Sequence, residues 1–106
     1  MLITTSETVS NHRITKTLGL VRGNTVRARH VGKDIMASLR NLVGGEIHEY
    51  AKLIAESREQ TLDRMVAEAE ALGANAIIAT RFTTSVMMGG AAELLAVGTA
   101  VVIEPE

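Results

Sequence analysis

The chain has 106 residues, 46% of them hydrophobic, with no cysteine, one tyrosine, one phenylalanine and a net charge of −1 from 11 basic and 12 acidic side chains. That length makes one domain with a thin, aliphatic core, and the lack of cysteine excludes disulfides, thiolate metal sites and cysteine nucleophiles. The single basic cluster, Val26–His30 with Arg22 upstream, is short and has no interleaved aromatics, so no nucleic-acid partner is expected. No apolar run is long enough to span a bilayer and the N-terminus does not read as a signal peptide, so no membrane partner is expected either; a cytoplasmic protein is.

The predicted elements begin with a short apolar piece, Leu2–Thr5, and a long strand over His12–Ala28. Ile14, Leu18 and Leu20 alternate there with Thr15, Thr17 and Gly19. Gly19 and Gly23 inside it predict a bulge, a bend or a close backbone approach. A short helix follows over Lys33–Val43, where Ile35, Met36, Leu39, Leu42 and Val43 share one face. A long helix is expected over Glu46–Leu72, with the stripe Ile47, Ala51, Ile54, Leu62, Met65, Ala69 and Leu72, interrupted by Arg58. Gly73 is placed to stop it.

The last third reads as a hairpin. Strands Asn75–Met87 and Ala91–Ile103 flank a turn at Gly89-Gly90. The final strand is apolar on both faces, Leu95, Val97, Val101 and Ile103 on one and Leu94, Ala96, Ala100 and Val102 on the other. One long helix covers only one of those faces, so a second copy of the chain is expected on the other. The fold class expected is α+β, a mostly antiparallel sheet packed with one short and one long helix.

Three segments carry a resemblance: "GLVRGNTVRARHVGKDI" at Gly19–Ile35, "VGGEIHEYAKLIAESREQTLDRMVAEAEALGANAI" at Val43–Ile77 and "ELLAVGTAVVIE" at Glu93–Glu104. They run in order over the whole chain, which resembles the YbjQ-type family of small bacterial and archaeal proteins of unknown function, often labelled heavy-metal-binding. The resemblance implies a subunit similar in fold to dodecin subunits and a homopentameric ring. Val97 departs from the pattern, because an aromatic, usually tyrosine, is expected before "GTAV".

Candidate sites cluster in "NLVGGEIHEY" at Asn41–Tyr50. Glu46, His48 and Glu49 are candidate ligands for a divalent metal, since imidazole and carboxylate are the donors left without thiolates. His48 points about 100° from Glu49 on a helix, so one chain offers an incomplete site and a ring must supply the rest. Without a metal, the two glutamates serve the helix dipole. They also repel a phosphate from the helix start after Gly44-Gly45. Tyr50 and Arg58 are candidates for a ligand site at a subunit boundary. Otherwise Tyr50 packs as a buried ring and Arg58 pairs with a carboxylate such as Asp34. Met87-Met88 is a weaker candidate pair of soft ligands. No nucleophile–base pair or cofactor fingerprint is present, so no enzyme is expected. The functional expectation is a ring-forming protein that binds a heavy metal or small ligand, or else a structural interaction module.

Overall fold

A computed structural model describes residues 1–27, 45–86 and 92–106, with side chains left undescribed at 27, 45–53, 86 and 92. The expected short helix over Lys33–Val43, the turn at Gly89-Gly90 and Met87-Met88 lie outside these residues. Among the described residues four strands and one helix appear in the order β1 (Leu2–Ile3), β2 (His12–Arg27), α1 (Gly45–Ala71), β3 (Ala76–Val86) and β4 (Ala92–Pro105). The strands form one sheet in the order β1-β3-β4-β2. β4 runs antiparallel to both β2 and β3, whereas β1 pairs parallel with β3, so the sheet is mixed.

Both glycines of β2 act as the sequence predicts. Gly19 adopts φ +121° beside a register shift between Thr17 and Gly19. The extra residue changes the phase of the strand, so Leu18 packs on the core and Val21 is buried, while Leu20 is 66% exposed. Leu18 and Leu20 therefore do not share a buried face, as the simple alternation predicted. Gly23 is the point of close approach. A Cβ there would come within 2.5 Å of the Met65 backbone nitrogen and closer still to the Thr61 carbonyl oxygen. Only a residue without a side chain lets α1 lie this close to β2.

That contact sets the buried stripe of the helix. Ser57, Thr61, Met65 and Ala69 are fully buried, one helical turn apart. Leu62 is half-buried and Leu72 is 47% exposed, so the expected stripe is rotated. Small hydroxyl side chains sit where the backbones are nearest. Thr61 Oγ1 donates to the Ser57 carbonyl at 2.8 Å and lies 2.9 Å from Thr25 Oγ1. The helix ends in a Schellman motif: Gly73 N–H bonds the Glu70 carbonyl, Ala74 N–H bonds the Ala69 carbonyl, and Gly73 takes φ +85°.

The main core joins Val21, Met65, Ala69, Ile77, Ala96 and Ala100 between α1 and the sheet. A second cluster, Ala76, Ile78 and Val101, lies on the opposite face and is covered by Val9 and Ile103. A bulge links the two. β3 uses one more residue than β4 between Ile78 and Arg81, and Ala79 there takes φ +53°. The bulge folds over Gly98, where a Cβ would meet Ile77 Cγ2 at 2.5 Å. It turns Ile77 and Phe82 to the helix side although one is odd and the other even in number.

Asn75 closes this end of the sheet. Its side-chain amide donates to the Ile103 carbonyl at 2.9 Å, and its Oδ1 accepts the Ile103 N–H at 2.8 Å, extending the β3–β4 ladder by one rung. The described chain measures 56 × 25 × 18 Å, with a radius of gyration of 17.1 Å. A compact domain of this length has roughly 13 Å. The elongation follows from long strands and a 27-residue helix laid over a narrow sheet.

Candidate functional site

α1 crosses β2 and β4 and barely touches β3. Among the described residues the helix side of β3 near Phe82 is left open, and a groove of about 720 Å³ runs between it and the helix flank. Ala55, Leu62 and Phe82 supply its apolar surface, and Glu56, Arg58, Glu59 and Gln60 its polar surface. Phe82, the only phenylalanine, is 47% exposed there. Large apolar rings left in concave surface are favoured contacts for ligands and partners.

Arg58 lines this groove and is exposed. The sequence placed it in the apolar stripe, where a buried guanidinium would need a carboxylate partner. The observed stripe runs through Ser57 and Thr61, which turns Arg58 outward to the flank and removes that requirement. Asp34 lies outside the described residues.

Glu46, His48, Glu49 and Tyr50 fall within the first two turns of α1, so their backbone is helical. Their side chains are not among those described. Among the described residues no group of three or more His, Asp or Glu side chains comes together. His12 lies on β2, where its Nδ1 is 2.8 Å from the Ser10 carbonyl. No described helix is long and apolar enough to cross a membrane.

The open face of the sheet brings together two residues that no spacing linked. Val97 is the direct cross-strand neighbour of Arg22 on one side and Arg81 on the other. Arg81 is held by Nη1 bonds to the Thr5 and Thr80 carbonyls, at 2.9 and 2.8 Å. Val97, the position that departs from the expected aromatic, thus sits half-buried between two cations. The pairing of Arg22 with Val97, 75 residues apart, is invisible to motif reading.

The family described as "Putative heavy-metal-binding" matches residues 1–104. The chain belongs to this family. A UPF0145 protein of Dehalococcoides mccartyi is 57% identical over 104 residues, covering 98% of this chain and all of that one. A UPF0145 protein of Clostridioides difficile is 57% identical over 106 residues, covering 100% and 95%. One of Methanosarcina acetivorans is 54% identical over 103 residues, covering 97% of each. The crystal structure of a Pediococcus pentosaceus protein of unknown function, from the DUF74 family, superposes with a TM-score of 0.64 over 98% of both chains. At 18% identity that likeness speaks for the fold alone. None of these descriptions names a catalytic activity.

Proposed function

We propose that the chain is a non-enzymatic, self-assembling binding module of the cytoplasm, a homopentameric ring that holds a small ligand in the groove beside Arg58 and Phe82. The groove is the observation that carries this reading. It joins an apolar surface to the Arg58 guanidinium, flanked by Glu56 and Glu59, which suits a small molecule with an apolar body and a single anionic group set against Arg58. Tyr50, some two turns before Arg58 on α1, belongs to the same helix and is assigned to the boundary between copies.

The family description supports a metal as ligand, with Glu46, His48 and Glu49 as its donors. Imidazole and carboxylate together favour first-row divalent ions, and further donors would come from neighbouring copies. A structural interaction module, with no ligand, is the competing reading.

Two titrations separate these. Anilinonaphthalene sulfonate, an apolar anion, is expected to bind saturably and to lose most of its affinity on Arg58→Ala. Calorimetry of untagged protein with zinc, copper and nickel is expected to give heat that disappears on His48→Ala if the metal reading holds. Absence of saturable binding in both titrations contradicts the binding function and favours the structural module.

A further inference from the structure

We infer that the groove beside Arg58 and Phe82 takes a zwitterion: a free amino acid with a large apolar side chain, its carboxylate set on Arg58 and its ammonium on Glu59. The inference rests on the binding reading above and deepens it by naming the chemical class of the ligand.

The groove holds charges that the chain itself leaves uncompensated. On a helix a side chain meets those three and four positions away, not its immediate neighbours. For Arg58 these are Ile54, Ala55, Thr61 and Leu62, none of them an acid. Glu59 and Glu56, one and two positions away, point about 100° and 160° from it, so neither folds onto the guanidinium. Across the groove, β3 from Phe82 to Val86 carries no charge. Among the described residues the one ion pair is Arg13 with Glu104, elsewhere on the sheet. Arg58 therefore stands exposed as a cation with no carboxylate among the described residues.

The acids are in the converse position. Glu59 has Glu56 three positions before it and Asp63 four after, and both repel it. No lysine or arginine stands at those spacings. Arg64, the next base along α1, is turned to the Asn24 carbonyl, 2.6 Å away. Among the described residues no three His, Asp or Glu side chains converge, so these acids do not form a metal cage. Exposed single carboxylates of this kind are matched to an ammonium group.

A ligand with both charges answers both sides of the groove. A plain anion set on Arg58 meets the field of Glu56 and Glu59, and a dianion such as a phosphate ester meets it more strongly. A plain amine satisfies Glu59 but lies beside the Arg58 cation. An α-amino acid carries its carboxylate and ammonium on one carbon atom. Arg58 and Glu59 are neighbours in sequence on long side chains, which suits that short spacing, and a guanidinium holds a carboxylate by two parallel bonds. The apolar side chain of the ligand then lies on Ala55, Leu62 and Phe82. Phe82, 47% exposed, offers its ring to an aromatic one. A groove of about 720 Å³ is large enough for the bulkiest amino acids.

Calorimetric titration of the full chain with three probes tests this: phenylalanine, 3-phenylpropionate, which lacks the ammonium, and 2-phenylethylamine, which lacks the carboxylate. Phenylalanine is expected to bind most tightly, by roughly fivefold over either analogue, the scale of one charge contact at an exposed site. Glu59→Gln should weaken phenylalanine by a similar factor and leave 3-phenylpropionate unchanged or tighter, since it removes a partner from one and a repulsion from the other. Damage to the fold would weaken both probes together, so the opposite signs identify direct contact. If 3-phenylpropionate binds as tightly as phenylalanine, and Glu59→Gln costs phenylalanine nothing, the zwitterion is overturned while the anion groove at Arg58 stands. Tightest binding of 2-phenylethylamine, or no binding of any probe, would overturn both.

Discussion

The two ends of the sheet differ in how much of themselves they satisfy. At the end formed by residues 2–9, 69–80 and 100–105, both faces are covered. Met65, Ala69 and Ile77 pack on the helix side, Val9, Ala76, Ile78 and Val101 on the other. The N-terminal segment and Asn75 also take up the main-chain groups at the edge. At the end formed by residues 20–27, 81–86 and 93–97, less of the sheet is covered by the described residues. Leu20, Val26 and Phe82 are each about half exposed or more. Among the described residues, one end of the sheet is thus covered more completely than the other. A thin aliphatic domain gains the missing burial most readily by assembling.

Mutations at the covered end and along the helix seam should act on one chain's stability whatever its assembly state. Gly23→Ala should be the most damaging, at about 3 kcal/mol or more, because its neighbours are helix backbone that cannot move aside. Urea unfolding at several protein concentrations checks this, and a loss below about 1 kcal/mol would contradict the close approach of α1 and β2. Asn75→Ala removes two bonds to Ile103 and should cost about 1–2 kcal/mol, read as the shift in the urea midpoint. Thr80→Val should be neutral or stabilising by up to about 1 kcal/mol, since Thr80 Oγ1 is buried with no hydrogen-bond partner among the described residues. A clear loss there would reveal a partner for that hydroxyl. All three effects should be nearly independent of protein concentration.

Much of this fold was legible in the residues. Gly73 ended the helix, Gly19 and Gly23 marked the bulge and the close approach, and the doubly apolar β4 announced a sheet needing cover on both faces. The rotation of the helix stripe was not legible, because Ser57 and Thr61 are buried by the nearness of Gly23 and not by their own hydrophobicity. Arg58 was misplaced for the same reason. The bulge at Ala79 was hidden because alanine gives no signal for positive φ. Arg58 drew notice in the sequence, but its place beside Phe82 in one groove was not legible, since that groove joins residues from α1 and β3.

Self-association is the claim on which the proposed ring and its boundary site depend. Native mass spectrometry of the untagged wild-type chain at micromolar concentration tests it most directly. A single closed species of five copies is the predicted result, and a monomer across the concentration range would contradict it.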